Sequence, residues 1–370
     1  MSSNPTTPSW LGEPTILDDT FAKRGEHILD WLARSTVPRA RDARAFLKKN
    51  ILKLPPSFQD IVVKHARSRW ESVFFELIVA RVLQELGAII KIEEAINSGR
   101  KPDFTAQFGD GTIIVEAVSP VFNANIEETA RNRNPLLEFI ELNTPSNWQI
   151  GISQLPLIGP TDSKREFKRA VSRLMDRLAS SPLQAQLELE ERISTGTIQI
   201  IAMSTKNSKS GIVFEAPLST SDNSIERIQH AVKKKKDQIR NAPFPVLVAI
   251  RGSNMWTDLE DFDQALFGHT YEKLDYNLRV VETGFKTDGL LTSNLDKKPK
   301  FAGVIAFLDV GFFEGLAPIL YLDPRFKDTL PESILQLKQR FFNFHSRKIE
   351  IREAASDNLM QKLDFIRRGA

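Results

Sequence analysis

Two acidic residues flank a short turn in a way that would let them share a cation. Asp103 begins one candidate strand and Glu116 lies near the end of the next; Gly109-Asp110-Gly111 between them is a strong hairpin signal. With a loop of two residues, Asp103 faces Val118, and Glu116 lies diagonally across from Asp103 on the same face. Two carboxylates at that spacing can bind one divalent cation. A three-residue loop would turn Glu116 to the opposite face, and the alternative is two unrelated charges on a solvated hairpin.

A third acidic residue, Glu76, lies inside the apolar segment Val73–Ala80, which is predicted to be part of a helix over residues 70–86. Its neighbours three and four positions away carry no charge, so the carboxylate lies on a face that is expected to be buried. Burial of a carboxylate is costly unless a cation or a hydrogen-bond donor is close. Glu76 is therefore either a site residue or the partner of an arginine in the core.

The helix predicted over residues 225–240 contains a run of lysines. Its apolar stripe, drawn at 100° per residue, passes through position 235, so Lys235 points most nearly inward. Lys233 and Lys234 lie well off this stripe, and Gln238 lies one turn further on at its edge. The alternative is that Lys235 extends along the apolar face and reaches solvent.

These residues together resemble the PD-(D/E)xK nuclease superfamily. Its pattern is a helix glutamate, a Pro-Asp that opens a strand, and a hairpin that leads to Glu-x-Lys. Glu76 looks like the helix acid, Pro102-Asp103 like the Pro-Asp, and Glu116-Ala117-Val118 like the third element. Val118 stands where the superfamily usually has lysine. Some branches carry that lysine on the following helix in a Lys-x-x-Gln arrangement, which Lys235–Gln238 resembles, and the chain is similar to a group of bacterial proteins of this kind.

The resemblance implies a fold, an activity and a role for each residue. The expected fold is α/β and restriction-endonuclease-like, with a mixed central sheet flanked by helices. The expected activity is metal-dependent nucleolytic hydrolysis of phosphodiester bonds. The resemblance does not fix the substrate, because the superfamily cuts many nucleic acids, and DNA is expected ahead of RNA. Asp103 and Glu116 would hold Mg²⁺ or Mn²⁺, and Glu76 would bind a second ion or a metal-bound water. Lys235 would orient the attacking water or stabilise the transition state, with Gln238 assisting.

Val118 keeps a second interpretation open, because the usual lysine is missing from the strand. The chain would then be an inactive scaffold of the same fold that binds nucleic acid or another protein. A third interpretation is an interaction protein of a bacterial defence or toxin system, whose partner supplies the activity. The expected partners are therefore nucleic acid first, then a second copy of the chain or a defence-system protein.

Two basic helices could contact a phosphate backbone. With 50 Lys and Arg against 47 Asp and Glu, the net charge of +3 excludes a globally polybasic protein but not a local basic patch. The residues predicted to contact nucleic acid are Arg39, Arg41, Arg44, Lys48 and Lys49 in the first helix, and Arg165, Arg169 and Arg173 in the second. The alternative for both is a solvated helical face.

Composition limits the remaining chemistry. The 370 residues are 41% hydrophobic and 26% charged, as in globular proteins, and the absence of cysteine excludes disulfides, thiolate metal sites and cysteine nucleophiles. That absence fits a cytoplasmic protein, and the first residues lack the pattern of a signal peptide. The apolar segment Gly303–Leu322 contains charges and glycines, so two strands are expected there rather than a membrane span.

The predicted organisation has four parts. They are a tail (1–20), a basic helical segment (21–69), the nuclease-like core (70–252) with an insertion at about 119–210, and an α+β extension (253–370). The extension is expected to contain a helix, a loop, two strands and then C-terminal helices.

Overall fold

A computed structural model of the chain describes residues 8–14, 18–20, 22–23, 26–96, 99–119, 135–156, 164–183, 186–204, 211–215, 224–238, 242–252, 257–293, 301–308 and 318–355, with the backbone alone for 211–215 and 236–238. The protein is mixed α/β. It divides into two compact units, of which the first comprises residues 1–21, 29–121 and 223–370, and the second residues 22–28 and 122–222.

The described helices are α1 (Ile28–Arg34), α2 (Pro38–Leu52), α3 (Pro56–His65), α4 (Trp70–Glu85), α5 (described over 135–143), α6 (Lys164–Ser180), α7 (Ser224–Gln238), α8 (Leu259–Phe267) and α9 (Glu332–Leu335), with 3₁₀ turns at Ser9–Leu11 and Pro324–Thr329. Proline at the first position opens α2 and α3, where its missing N–H costs no helical hydrogen bond. The predicted helix over 70–86 is confirmed as α4, and Gly87 follows it with a φ of 95°.

The described strands are β1 (Ile89–Ile92), β2 (Phe104–Gln107), β3 (Thr112–Val118), β4 (Trp148–Gln154), β5 (Leu187–Ile193), β6 (Gly196–Ser204), β7 (Gly211–Glu215), β8 (Val246–Arg251), β9 (Thr270–Leu274), β10 (Val280–Phe285), β11 (Gly303–Phe307), β12 (Ile319–Leu322), β13 (Lys338–Asn343) and β14 (Lys348–Arg352). They form one sheet of eight strands, one of four and one hairpin of two.

The first unit is built on the eight-stranded mixed sheet, in the order β1-β2-β3-β8-β11-β12-β13-β14. The pairs β3–β8, β8–β11 and β12–β13 are parallel, and the other neighbours are antiparallel. The central strand β8 is Val246–Arg251, an apolar run that is buried at every position except its last, as expected for a strand covered on both faces. The strands of the predicted extension thus continue the same sheet as those of the predicted core.

The register of the β2–β3 hairpin differs from the predicted one. Gln107 pairs with Thr112, and the N–H of Phe108 donates to the carbonyl oxygen of Gly111 at 2.7 Å, so the turn is centred on Gly109-Asp110 instead of Asp110-Gly111. The shift is by two positions, and an even shift leaves every side chain on its original face. Continuing the register by one residue places Asp103 directly opposite Glu116, where the sequence predicted a diagonal arrangement.

The second unit contains the sheet β5-β6-β4-β7 and the helices α5 and α6. The apolar side of α6 packs in a core with β4, β5 and β6, and its Phe167, Val171, Leu174 and Leu178 are fully buried. The predicted apolar stripe of α6 is therefore confirmed. Strand β5 was not predicted.

The C-terminal region corrects the prediction of helices there. From residue 323 to residue 355 it contains the 3₁₀ turn Pro324–Thr329, the short α9 and the strands β13 and β14, which complete the eight-stranded sheet. The part of the predicted C-terminal helices beyond residue 355 lies outside the described residues. The hairpin β9–β10 occupies a region that was predicted to be a loop. The two strands predicted within 303–322 are confirmed as β11 and β12, and none of the helices described is long and apolar enough to span a bilayer.

Candidate active site

Helix α4 supplies Glu76 to one side of the sheet. From Val73 to Leu83 every residue of α4 is buried except Glu76, which is partly exposed. An apolar helix of this kind is held in place by its packing, and it therefore fixes the position of the one carboxylate that it leaves open.

The hairpin β2–β3 supplies the other two carboxylates. Glu116 lies in the middle of a buried strand and is only 3% exposed, whereas the Asp103 side chain is 27% exposed at the beginning of β2. The backbone N–H of Ala117 donates to Oδ2 of Asp103 at 2.8 Å. This hydrogen bond holds the aspartate against β3, next to Glu116.

Helix α7 brings a lysine between these two carboxylates. The ammonium Nζ of Lys235 donates to Oδ2 of Asp103 at 2.8 Å and to Oε2 of Glu116 at 2.7 Å. Ile228 and Val232 anchor the helix in the core, as the apolar stripe predicted. The Lys235 side chain is 17% exposed, so its predicted inward direction is confirmed.

Lys233 and Lys234 are exposed, again as predicted. The side chain of Gln238 lies outside the described residues, so its predicted assistance stays a prediction. Val118, at the end of β3, is partly buried and packs against the core cluster beneath α7. The cation of this site therefore comes from a helix and not from the strand.

Burial and negative charge change the protonation of Glu116. Desolvation, the charge of Asp103 and a hydrogen bond with Asp103 raise the pKa of Glu116 to about 7, although Lys235 opposes the shift. Burial alone would lower the pKa of Lys235, but the charges of Asp103 and Glu116 and their hydrogen bonds outweigh it and raise that pKa. The lysine therefore stays charged, while Glu116 exchanges its proton near neutral pH.

Glu76 belongs to the same electrostatic cluster. Burial raises its pKa to about 7, and the negative charge of Asp103 adds to that shift. The positive charges of Arg69 and Lys235 oppose it, whereas Glu93 contributes in the same direction as Asp103. A carboxyl group with a pKa near 7 can accept and release a proton under physiological conditions.

The three carboxylates do not meet at one point. Among the residues that the structure describes, no three His, Cys, Asp or Glu side chains form a group that could hold a metal ion. Of the three carboxylates that were predicted to converge, Asp103 and Glu116 are joined by Lys235. Glu76 is not part of this contact, but the charge of Asp103 raises its pKa.

Two carboxylates nevertheless form a donor set that suits Mg²⁺ or Mn²⁺. Mg²⁺ is usually held by one or two carboxylates, with waters and substrate phosphates completing an octahedron of oxygen atoms. Asp103 and Glu116 provide such oxygen atoms on one face of the sheet. Glu116 would have to lose its proton to act as a ligand, so binding of a cation would depend on pH.

One predicted nucleic-acid contact is wrong. Arg44 is only 4% exposed, and its guanidinium donates to the carbonyl oxygens of Leu32 and Ser35 at 2.6 and 2.7 Å. It therefore satisfies the end of α1 inside the protein and cannot reach a phosphate. The apolar stripe of α2 includes Ala40, Ala43 and Leu47, so helical spacing already placed position 44 on the buried side.

The other predicted basic residues lie on the surface. Arg39, Arg41, Lys48 and Lys49 are exposed on α2 in the first unit. In the second unit, α6 exposes Lys164, Arg165, Lys168, Arg169 and Arg173, which line one shallow depression together with Ser172. Arg173 is partly neutralised by Glu191, whose Oε1 lies 3.1 Å from Nε.

Two charged residues near the site were not predicted. Arg69, just before α4, lies seven residues and thus two helical turns from Glu76, a spacing that could have revealed it. Glu93 follows β1, and its backbone N–H points to the carbonyl oxygen of Asp103. Its φ of 47° lies in the left-handed region, which the sequence does not signal for a glutamate.

Comparisons with protein-family models, with curated proteins and with solved structures found no match to this chain.

Proposed function

We propose that this protein is a metal-dependent nuclease that hydrolyses phosphodiester bonds, with DNA as its substrate. The observation that carries the proposal is the ammonium of Lys235 between the carboxylates of Asp103 and Glu116, at 2.8 and 2.7 Å. A lysine and two acids from one hairpin and one helix supply the cation and the metal ligands that this reaction needs.

The surrounding elements support a restriction-endonuclease-like core. Helix α4 precedes the antiparallel strands β1, β2 and β3, and α7 then leads into β8, which pairs with β3 in parallel. This order agrees with the pattern of the PD-(D/E)xK superfamily that the sequence resembles. On this interpretation, residues 122–222 of the second unit are an insertion between β3 and α7.

Four side chains would take part in the hydrolysis. Asp103 and Glu116 would hold the divalent cation, which lowers the pKa of water and neutralises charge on the phosphate when it is bound. Lys235 would donate hydrogen bonds to the negative phosphate oxygens as the bond breaks. Glu76, with a pKa of about 7, would take the proton of the attacking water.

A cleavage assay tests the proposal. The protein is incubated with supercoiled plasmid and Mg²⁺ or Mn²⁺, and nicked and linear products are followed over time. We expect Asp103→Asn and Lys235→Met to lose at least about 100-fold in rate, since each removes a group that acts on the same step. The matched control is Lys233→Met, an exposed lysine of the same helix, which should cut at the wild-type rate. Equal rates for Lys235→Met and Lys233→Met would contradict the proposal.

A second candidate function is an inactive scaffold of the same fold that binds nucleic acid or a partner protein. The observation that favours it is the closed contact of Lys235 with both carboxylates, which already neutralises part of their charge. A bacterial defence pathway and a homodimer would fit either function. If no metal supports cleavage while DNA still binds, this alternative replaces the first.

A further inference from the structure

One side of α4 is at least partly exposed from its start to Glu76. Arg69, Ser72 and Glu76 are the positions near the start of this helix that lie on one face and are at least partly exposed. Seven residues make two helical turns, so Arg69 lies about 10 Å along the helix axis from Glu76. Because helical side chains tilt toward the N-terminus, the Glu76 side chain leans toward Ser72 and Arg69.

The charge of Arg69 reaches the carboxylate cluster. Arg69 and Lys235 both lower the pKa of Glu76, against the larger effect of burial. The Arg69 side chain is exposed, and its guanidinium makes no hydrogen bond or ion pair within the described part of the chain. Its neighbour Arg67, by contrast, is paired with Asp30 at 2.8 Å.

A polyanion approaching this cluster meets repulsion from three carboxylates. One lysine, already shared between Asp103 and Glu116, offsets only part of that charge. Arg69 places a second cation two turns away, a distance greater than the separation of neighbouring phosphates along one strand of nucleic acid. Ser72 between them has a short side chain and is partly exposed.

We propose that Arg69 binds a phosphate that flanks the cleaved one, so that the nucleic-acid backbone enters along the face Arg69–Ser72–Glu76. This inference rests on the proposed function and extends it, since it requires a substrate with more than one phosphate. A guanidinium suits this role because its fork of donors matches phosphate oxygens.

Two substrates separate this role from a general effect. Bis(p-nitrophenyl) phosphate is a phosphodiester with a single phosphate, whereas a DNA duplex also carries flanking ones. For Arg69→Ala we expect the KM for duplex DNA to rise about tenfold. Hydrolysis of the small ester is compared at about pH 9, where Glu76 has lost its proton with or without the charge of Arg69, and there it should change little. Arg69→Lys should restore part of the affinity. Equal losses of kcat/KM on both substrates would overturn the flanking-phosphate role. They would show that Arg69 acts on the reacting phosphate or is needed only for folding.

Binding without cleavage keeps the two proposals apart. Duplex affinity is measured in Ca²⁺ at several salt concentrations for the wild type, Arg69→Ala and the control Arg67→Ala. Loss of one phosphate contact should lower the slope of log affinity against log salt by about 0.9 for Arg69→Ala only. If that slope falls while the wild type cuts nothing, the inference on binding stands and the hydrolytic function fails. If the wild type cuts DNA and both arginine variants bind alike, the inference fails and the function stands.

Discussion

Two of the ionic clusters in the first unit differ in how their charges balance. In one, Arg340 of β13 donates two hydrogen bonds to Asp263 of α8, and the bond from Nε to Oδ1 is 2.8 Å long. The Asp263 side chain is 9% exposed and that of Arg340 12%. In the other, the single ammonium of Lys235 donates hydrogen bonds to both Asp103 and Glu116.

The difference lies in what each cluster still lacks. The Asp263–Arg340 pair has one charge of each sign and a bidentate geometry, so its charges balance without a further ion. It holds α8 on the sheet. The Lys235 cluster has two acids for one base, with Glu76 nearby, and it compensates by keeping carboxyl protons up to about pH 7. A balanced pair is typical of structural support, whereas an unbalanced one is typical of a site that binds cations.

The largest effect is expected when one member of the Asp263–Arg340 pair is removed. Arg340→Met leaves the Asp263 carboxylate buried without its partner, so we expect the free energy of unfolding to fall by about 3–5 kcal/mol. Lys235→Met should cost clearly less stability, because its two carboxylates can share a proton and reach solvent at Asp103. Urea denaturation at pH 7 measures both variants. A larger loss for Lys235→Met would reverse the roles assigned to the two clusters.

A smaller effect concerns Glu76 alone. Its pKa in the folded state is raised to about 7 from an ordinary 4.5, so between these pH values the folded protein binds more protons than the unfolded chain. Stability contributed by this group is therefore lost as the pH rises from about 4.5 to 7. We expect Glu76→Gln to be about 2 kcal/mol more stable than the wild type at pH 8, with little difference at pH 4, after allowing for partial exposure.

Thermal and urea unfolding at both pH values give this comparison. The matched control is Glu272→Gln, an exposed glutamate of β9 in the same unit. If Glu76→Gln were less stable than the wild type at pH 8, the Glu76 carboxylate would be stabilised by an ion pair instead of destabilised by burial and by the charge of Asp103.

The smallest effect sharpens the assignment of the unbalanced cluster. Glu116 must lose its proton to act as a ligand, and its pKa is about 7. The affinity for Mn²⁺ should therefore rise by up to about tenfold per pH unit below pH 7 and level off above it. Titration calorimetry in two buffers of different protonation enthalpy measures the released proton. In Glu116→Gln that proton release should disappear, and its persistence would assign the proton to another group.

The hairpin explains why part of the site could be predicted in spite of a wrong register. The sequence predicts a turn at Asp110-Gly111, and the structure has it at Gly109-Asp110. Because the side-chain period of a strand is two, both registers keep Asp103 and Glu116 on one face. Lys235 was predictable for a similar reason, since its helix has a clear apolar stripe.

Other features depended on packing that local patterns do not reveal. Residues 332–337 have an apolar spacing that suits a helix, yet only the short α9 forms there before β13 extends the sheet. The burial of Arg44 was visible in the stripe of α2, but its partners, the carbonyl oxygens at the end of α1, were not. The position of Glu93 depends on a backbone conformation that no sequence pattern announced.

The connection between β3 and β8 has a kinetic consequence. Lys235 and Asp103 are separated by 132 residues along the chain, and the parallel pairing of β3 with β8 closes a loop of similar length. The entropic cost of closing a loop increases with the length of chain that is still free. The second unit pairs β4, β5 and β6 with one another inside this loop and has its own core, so its early folding shortens the free chain. We therefore expect the carboxylates and their lysine to come together after the second unit has folded.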